Sequence, residues 1–481
     1  MQPGRGHGEL PAGRRVDQDM NDDSPFARLA GAVAGPVFRP GDPGYDAECY
    51  TFNPMAPLRP AVAVGATSPA DVQAVVRFAK ANGLAVAVRG GGHMQASPAE
   101  DAVLVTLDRM SDVTVDDDRR TARVTGAARW GEVIGVAAKS GLAPMSGSSL
   151  TVSAIGFVLG GGQGPVLSRP YGYASDHVTS FDIVTADGTL RTVSDHAEPE
   201  LFAALRGGKG NFGVVTAMEI GLWPVTSVVA GGIVFPGSAT AEVLRRWRDW
   251  AATLPEQATT SIAIQRLPPI EALPEPLRGA HVLNVRYACL GPAETGLELL
   301  TPMREVATAL IDTVAEVPYP EAADLHHDPV DPVSYQDRSL GLAGLPDEAL
   351  AKLVELIGPD SDGRLDSVEI RALGGAMDRL PATLDSVPTR GLPFQLAAFG
   401  VGGPDTAGPL REALEHLIRE MRPWADPRHR RMVNFLSPDE ATEPRSLREV
   451  YGPEIYDRLL AVKRTYDPDT MFRINHTVRP L

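Results

Sequence analysis

Residues 85–94 read AVAVRGGGHM, a run of apolar residues that leads into Arg89, three successive glycines and His93. The apolar residues before Arg89 are typical of a buried β-strand. Three adjacent residues without Cβ remove side-chain bulk and permit positive φ, at an entropic cost that an ordinary surface turn avoids. The stretch therefore predicts a strand followed by a turn where another group lies against bare backbone.

The segments on both sides of this turn predict an α+β domain. Short valine-rich runs alternate with turns and brief helices, as such domains require. Ser68 as N-cap and Gly83 as stop predict one helix between them. Hairpins are expected around residues 116–118 and 187–188.

The sequence pattern changes near residue 226 and again near the C-terminus. From residue 226 onward, longer amphipathic segments alternate with strands, which predicts a sheet with helices on one side. We expect a disordered tail over residues 1–25, a first domain over 26–225, a second over 226–425, and a C-terminal segment over 426–481 that returns to the first domain.

Charge and composition exclude several classes of function. The formal net charge is −16, with 61 acidic against 45 basic residues and no basic cluster, which disfavours nucleic-acid and anionic-membrane surfaces. No apolar stretch follows the arginine pair near the N-terminus, as an export signal requires, so we expect a cytoplasmic protein. Cys49 and Cys289 are too few and too distant for a disulfide framework or a cysteine zinc site.

Three glycine-rich loops, at residues 90–92, 160–164 and 207–213, share the first domain. The third contains GKGNFG, but a helix precedes it and a strand follows, opposite to a nicotinamide-binding Rossmann turn. Lys209 is followed by Gly210, not by the Ser or Thr of a Walker loop. Each loop alone is compatible with a tight turn. Together they predict a long phosphate-bearing ligand such as a dinucleotide.

Two histidine positions carry alternative interpretations. His93 is either an ordinary satisfied histidine or, beside bare backbone, a nucleophile that tethers a cofactor covalently. His326 and His327 suggest a metal site, but adjacent side chains diverge and no spaced partner is evident. We therefore predict no metal.

Four stretches together resemble the FAD-linked oxidases of the berberine-bridge-enzyme-like group, in the vanillyl-alcohol-oxidase superfamily. They are VRGGGHM, GGGQGPVLSRPYGYASDHV, LRGGKGNFGVVT and YDPDTMFRIN, and the resemblance extends from about residue 40 to residue 481. It implies an α+β fold with a two-lobed PCMH-type FAD-binding domain and a substrate domain whose antiparallel sheet is covered by helices. It also implies FAD bonded through its 8α-methyl to His93.

The same resemblance implies a set of cofactor contacts in the glycine turns, the strands beside them and the C-terminal tail. These residues are Arg89, Gly90, Gly91, Gly92, His93, Met94, Gly147, Ser148, Ser149, Val152, Gly156, Gly160, Gly161, Gly162, Gly164, Gly210, Asn211, Gly213, Val214, Val215, Asn434 and Asn475.

The stretch GSSLTV carries two further implications. Ser149 stands where many relatives have a second, cysteinyl tether, so we expect a single covalent bond and no cysteinyl bond. Val152 occupies the position that gates dioxygen, where valine tends to admit it, and Gly147 falls where a small residue leaves room. This favours an oxidase; the alternative is that Val152 is simply a core residue.

The important departure from the family lies in Met432-Val433-Asn434, because many relatives have a tyrosine base at the methionine position. Glu369 is a substitute base if burial raises its pKa, with Arg371 to orient a carboxylate or enolate. Alternation places both on one face of a strand. An ion pair on a solvated face is the alternative. Weaker candidates for the site are Tyr335 and Gln395. His476 resembles a residue of the family's flavin-contacting tail, in which Asn475 is the better contact candidate.

The leading hypothesis is a flavoprotein oxidase that takes a hydride from a small organic substrate, such as a secondary metabolite, and passes electrons to O2 to give H2O2. The expected partners are this substrate and O2, with no nucleic acid and no membrane, and the chain is a monomer or homodimer. The alternative is a flavin-dependent cyclase, rearrangement or oxygenating enzyme. A third hypothesis is a binding protein that retains flavin structurally.

Overall fold

The computed structural model describes residues 25–93 and 98–481, and the strands of that part of the chain form three sheets. The first contains β1 (Val37–Phe38), β2 (Val62–Gly65), β3 (Ala85–Arg89) and β4 (Ala102–Thr106) in the order β1-β2-β4-β3. Strands β2 and β3 both run parallel to β4. The strand predicted before the glycine turn is confirmed as β3.

The second sheet is antiparallel and contains both predicted hairpins. Its strands are β5 (Val113–Asp116), β6 (Thr121–Thr125), β7 (Val178–Thr185), β8 (Leu190–Val193) and β9 (Gly213–Gly221), in the order β5-β6-β9-β7-β8. The β7–β8 turn passes through Gly188 at φ 75°, a left-handed conformation that favours glycine. Strand β9 begins directly at the third glycine loop.

The third sheet contains eight antiparallel strands. They are β10 (Ser227–Pro236), β11 (Ala258–Arg266), β12 (His281–Cys289), β13 (Ile311–Asp312), β14 (Ala315–Pro318), β15 (Tyr335–Leu342), β16 (Ser367–Ala372) and β17 (Phe394–Val401). Their order is β13-β10-β12-β11-β16-β17-β15, and β14 pairs with the same edge of β10 as β13.

Helices surround these sheets and, apart from α3, are short in the first half of the chain. They are α1 (Pro25–Ala32), α2 (Tyr45–Glu48), α3 (Pro69–Asn82), α4 (Trp130–Ala137), α5 (Ala154–Leu159), α6 (Ser168–Tyr171), α7 (Pro199–Leu205), α8 (Thr240–Ala251), α9 (Ala293–Leu299), α10 (Thr301–Arg304), α11 (Tyr319–Ala322), α12 (Asp347–Ile357), α13 (Ala407–Met421), α14 (Pro444–Tyr451) and α15 (Pro453–Tyr466). The predicted caps of α3 are confirmed, since the Ser68 side chain accepts from Asp71 N–H and Gly83 has φ 66°.

One face of the third sheet is covered by helices, and the opposite face is left for a cavity. Apolar residues of α8, α12 and α13 bury Ile370 and Ala372 of β16 in one core. Glu369 and Arg371, which alternate with them, point to the opposite face and line the cavity. The predicted α+β class, with an antiparallel sheet covered by helices, is confirmed.

The C-terminal segment packs back on the first sheet. Met471 and Phe472 enter the core beneath β2, β3 and β4, and Val86 N–H donates to Met471 O at 3.1 Å. A buried ion pair, Lys463 Nζ to Asp467 Oδ2 at 2.7 Å, fixes the end of α15. The expected tail over residues 1–25 lies outside the described residues, apart from Pro25, where α1 begins.

Candidate active site

A cavity of about 980 Å³ lies between the glycine turns and the helix-free face of the third sheet. Most residues implied as cofactor contacts line it. They are Arg89, Gly90, Gly91, Gly92, His93, Gly147, Ser148, Ser149, Val152, Gly156, Gly160, Gly162, Gly210, Gly213, Val215, Asn434 and Asn475.

Four of the expected contacts lie outside the cavity wall. Gly161 forms a tight turn at φ 95°, and Gly164 is packed so that a Cβ would meet Ser146 O. The Asn211 amide is fully buried and bonds Gly208 O, His476 O and Val478 N–H, which ties the third glycine loop to the C-terminal tail. Val214 belongs to the core beneath the first sheet. The fifth unplaced residue, Met94, lies outside the described residues.

His93 is held in the cavity wall by stacking and one hydrogen bond. Its ring stacks on Phe52 with a centroid distance of 3.9 Å, and Nε2 lies 2.8 Å from Thr151 Oγ1. Burial, together with the nearby charge of Arg129, lowers the pKa of His93 to about 4. The imidazole is therefore neutral at physiological pH, which is its nucleophilic form.

The glycine run before His93 has an internal packing reason that the sequence did not indicate. A Cβ on Gly91 would lie 2.8 Å from Ser153 N, and one on Gly90 would lie 3.1 Å from Ser153 Oγ. Gly92 has φ 73°. The turn is therefore bare both because it faces the cavity and because the Thr151–Ser153 segment packs directly against it.

The second and third glycine loops meet at Asn434. Its Nδ2 donates to Phe157 O at 2.8 Å, and its Oδ1 accepts from Lys209 Nζ at 2.8 Å. Gly160 packs so closely that a Cβ there would overlap Asn434 Oδ1. Burial lowers the pKa of Lys209 to about 7. Sequence reasoning considered this lysine only for a Walker loop and did not predict it as a cavity residue.

The C-terminal tail closes this side of the cavity. Asn475 Nδ2 donates to Gly210 O at 3.2 Å, and His476 Nε2 lies 3.0 Å from Ser437 O. Burial, and then the charge of Lys209, lowers the pKa of His476 to about 4. Both residues line the cavity, as the resemblance implied for the tail.

On the opposite wall, Glu369 is buried among hydrogen-bond donors. Its Oε1 accepts from Ser261 Oγ at 2.7 Å, Arg286 Nη1 at 3.1 Å and His326 Nε2 at 2.8 Å, while Oε2 accepts from Arg371 Nε at 2.9 Å. Burial alone would raise the pKa of Glu369, but Arg371, His326 and Arg286 hold it well below its usual range. The expectation that burial makes Glu369 a general base is therefore wrong.

Arg371 is held in place rather than free to follow a substrate. Its Nη1 donates to Gln163 Oε1 at 2.9 Å, and its guanidinium lies 5.0 Å from the centre of the Phe435 ring. The alternative of an ion pair on a solvated face is wrong too, because Glu369 and Arg371 are both buried.

The two weaker candidates have different positions. Tyr335 lines the cavity, its hydroxyl donates to His93 O at 3.4 Å, and burial raises its pKa. Gln395 is fully buried outside the cavity wall, where its Oε1 accepts from Met432 N–H at 3.0 Å. Gln395 therefore has a structural contact and no place at the cavity.

Sequence reasoning missed several residues that the cavity brings together. His326 was considered only for metal, and Arg286 and Gln163 were not singled out, although all three surround the Glu369–Arg371 pair. Asp337 also lines the cavity, and burial raises its pKa to about 6. The LHHDP stretch was the sequence signal available for His326. No local sequence signal was available for Arg286, because strand pairing brings it to Glu369.

Within residues 25–93 and 98–481, no three His, Cys, Asp or Glu side chains cluster as metal ligands would. Every helix in those same ranges is too short or too polar to cross a membrane.

Two family models match the chain. Residues 60–194 match an FAD binding domain, and residues 433–479 match the model described as berberine and berberine like. The first match covers the glycine turn and His93, and the second covers Asn434 and the C-terminal tail.

Individual proteins match over nearly the whole chain. The (R)-6-hydroxynicotine oxidase of Paenarthrobacter nicotinovorans is 27% identical over 471 residues, covering 93% of this chain and 97% of that protein. The crystal structure of 6-hydroxy-D-nicotine oxidase from Arthrobacter nicotinovorans, also 27% identical, has a TM-score of 0.78 and covers 93% and 98% of the two chains. The BBE-like 1 protein of Physcomitrella patens, 20% identical with a TM-score of 0.82, covers 95% and 99% and shares the fold.

Proposed function

We propose that this chain, an FAD-linked oxidoreductase of the berberine-bridge-enzyme-like family, binds FAD covalently through His93 and oxidises a small organic substrate with O2 as acceptor. The observation that carries the proposal is the cavity itself. One wall combines bare glycine backbone with a neutral imidazole, and the other presents a buried cluster of charged side chains.

The donor set of the first wall fits a flavin dinucleotide. The main chain of Gly90, Gly91 and Gly92 would hold the diphosphate, because N–H groups free of side-chain bulk approach phosphate oxygens closely. Ser148 and Asn475 offer further polar atoms along the wall. We assign the cofactor to residues 26–225 with the C-terminal segment 426–481, and the substrate to residues 226–425.

Two residues set the number of bonds to the cofactor. When the His93 ring is neutral, one of its two ring nitrogens has a free lone pair and is the nucleophile, and Phe52 and Thr151 fix the plane of that ring. Ser149 Oγ lies 3.1 Å from Thr151 Oγ1 and has no thiol chemistry. We therefore propose a single bond, at His93.

A bound FAD would supply the redox chemistry, as acceptor of a hydride from the substrate and as donor of two electrons to O2, which would take up two protons to give H2O2. Val152 leaves space for O2 at the wall beside His93. The Arg286, Arg371 and Glu369 cluster orients the polar end of the substrate, and Phe435 supplies an apolar surface beside it.

Peptide mapping tests the covalent bond. After acid precipitation and proteolysis, we expect yellow colour on a peptide that contains His93 and on no other. The His93→Ala variant should release all of its flavin into the acid supernatant, while His196→Ala, at an exposed position, should keep it. Protein that stays colourless after expression with ample riboflavin would overturn the flavin assignment, and flavin fully released from the wild type would overturn the bond.

A second candidate function is a flavin-dependent cyclisation, rearrangement or oxygenation in natural-product biosynthesis. Met432 favours it, because a thioether in the usual tyrosine position accepts no proton. Anaerobic bleaching of the flavin by a screen of alcohols and phenols, followed by stoichiometric H2O2 on admission of air, supports the oxidase. Substrate conversion without H2O2 supports the second candidate.

A further inference from the structure

Asp337 carries a carboxylate oxygen that is open to the cavity. Its Oδ1 accepts from Ser437 Oγ at 2.8 Å, whereas its Oδ2 accepts no hydrogen bond from any residue of the ranges 25–93 and 98–481. The side chain is half-buried and lines the cavity, and Oδ2 is not one of the unpaired polar atoms that the fold closes off from solvent. A molecule in the cavity can therefore reach Oδ2.

The negative charge of Asp337 has no ion-pair partner in the part of the chain that the structure describes. The two nearest arginines bind other carboxylates: Arg338 Nη2 lies 2.7 Å from Asp439 Oδ2, and Arg431 Nη1 lies 2.6 Å from Glu440 Oε1. A carboxylate that is partly withdrawn from water without a paired cation is costly. Asp337 is therefore suited to receive a positively charged group of a ligand.

Two aromatic side chains lie beside this carboxylate on the same face of the third sheet. Strand pairing places Phe399 of β17 directly opposite Asp337 of β15, and Phe399 lines the cavity with 38% of its surface exposed. Tyr335, two residues before Asp337, also lines the cavity, and its hydroxyl lies 3.4 Å from His93 O. Aromatic rings attract cations to their faces. The open carboxylate and the two rings therefore form one surface suited to a cation with an apolar body.

We propose that Asp337 selects a substrate that carries a basic nitrogen: Oδ2 binds the protonated amine, and Phe399 and Tyr335 contact the carbon atoms next to it. This is a binding assignment, in which no covalent bond forms or breaks. The amine lies apart from Glu369 and Arg371, because β17 separates β15 from β16 in the sheet. The proposal rests on the proposed function, since it names the substrate class of the same cavity.

The groups that face Asp337 give the binding of an amine a specific pH dependence. Burial raises the pKa of Asp337 to about 6, and the charges of Glu440 and Asp439 act in the same direction, whereas Ser437 and Arg338 lower it. The carboxyl group is neutral below this pKa and ionised above it, while an alkylamine stays protonated throughout this range. The affinity for the amine should therefore rise between about pH 5 and pH 7.

Asp366 is the competing carboxylate and provides a matched control. It lines the same cavity, but its Oδ2 accepts from Val401 N–H at 2.6 Å, which holds it against the backbone of β17. Asp366→Asn removes one negative charge from the same wall and keeps an oxygen for this N–H. It therefore separates a specific contact with Asp337 from a general preference of the cavity for cations.

The test is calorimetric titration of purified flavin-loaded protein with 2-phenyl-2-propylamine and with 2-phenyl-2-propanol, its neutral counterpart of the same shape. The carbon that bears the nitrogen or oxygen has no hydrogen, so neither probe can lose a hydride there. At about pH 7.5 we expect wild-type protein to bind the amine at least about tenfold more tightly than the alcohol. Asp337→Asn, which keeps an oxygen for Ser437 Oγ, should lose this preference and bind the alcohol as before. Asp366→Asn should keep the preference.

Three results would overturn the proposal: equal affinity of the wild type for the two probes, a preference for the amine that persists in Asp337→Asn, or a preference that disappears in Asp366→Asn. A wild-type affinity for the amine that stays constant between about pH 5 and pH 7 would also contradict it, and this measurement needs no variant to fold. The flavin absorbance of the same samples tests the proposed function separately. Colourless protein that still prefers the amine would refute the flavin assignment and leave the amine site intact.

Discussion

Val152 is the cavity residue that, in the proposed function, leaves space for O2. It lines the cavity one residue after Thr151, whose hydroxyl contacts His93. We expect Val152→Ile to slow reoxidation of the reduced flavin by O2 about tenfold or more, equivalent to roughly 1.4 kcal/mol in activation free energy. The added methylene fills space that O2 must cross. Stopped-flow mixing of photoreduced protein with oxygenated buffer measures the rate.

Val401→Ile is the matched control for this change. Val401 lines the same cavity but is 48% exposed. Its reoxidation rate should equal that of the wild type. Equal rates for both variants would show that Val152 is only a packing residue.

Lys209 gives the protein a specific dependence on pH. Its pKa, about 7 in the fold, lies below the ordinary value of 10.5, so the unfolded chain binds more protons between these two values. The contribution of this group to the free energy of unfolding therefore rises with pH across that window. Below about pH 7 this contribution is constant, because the lysine is protonated in both the folded and the unfolded state. We expect Lys209→Met to flatten the rise by up to about 1.4 kcal/mol per pH unit.

Urea unfolding of both proteins at several pH values between neutrality and pH 10 measures this slope. Lys139→Met, at an exposed position, should reproduce the wild-type slope. Parallel curves for Lys209→Met and wild type would mean that the pKa of Lys209 is not lowered in the fold.

At the scale of an element, helix α5 and the glycine turn after it set the position of Asn434. We expect Gly160→Ala to displace Asn434, because a Cβ would overlap its Oδ1, and so to break the contacts with Lys209 and Phe157. Flavin content per chain should fall severalfold. The absorbance ratio of flavin to protein in purified samples measures it.

Gly135→Ala is the control for this change, because Gly135 lies inside helix α4 and outside the cavity wall. Beyond the backbone of its own helix, no atom of the described residues lies within 4 Å of its new Cβ, and alanine is favoured over glycine inside a helix by about 1 kcal/mol. Normal flavin content in this variant, with slightly higher stability, is expected. Loss of flavin in both variants would show that the loss does not depend on Asn434.

Elements whose signals are local could be predicted from the sequence. The caps of α3, the strand before the glycine turn and the alternation of Glu369 with Ile370 all depend on residues a few positions apart. The ionisation of Glu369 does not, because Arg286 and His326 lie 83 and 43 residues away in sequence. Burial alone predicted a raised pKa for Glu369. The hydrogen-bond donors around it lower that pKa instead.

The cavity exists only because two parts of the molecule are held together. Arg169 of α6 is buried at their junction, with Nη1 donating to Leu373 O at 2.5 Å and Nη2 to Leu254 O at 3.2 Å. Such a contact was not predictable, because Leu373 and Leu254 lie 204 and 85 residues away from Arg169 in sequence. It joins the wall that carries the glycine turns to the sheet that carries Glu369.

We expect Arg169→Ala to destabilise the protein by about 2–4 kcal/mol, because it leaves two buried carbonyls unpaired and a void. Unfolding followed by flavin circular dichroism should then precede unfolding followed by the fluorescence of Trp247 and Trp250, which lie in the core of the third sheet. Arg119→Ala, which removes an exposed ion pair with Glu219, should cost at most about 1 kcal/mol. Coincident transitions in Arg169→Ala would contradict this.

The C-terminal tail contacts β3 and Gly210, and these contacts determine when the cavity is complete during synthesis of the chain. Residues 471–478 are synthesised after every other segment of the cavity wall, and without them Asn211 lacks its His476 and Val478 partners. A nascent chain on the ribosome therefore has no complete pocket to capture a vitamin-derived ring. If the proposed bond forms, it forms after translation, and a culture short of riboflavin should accumulate finished but colourless chains that turn yellow when the vitamin is restored.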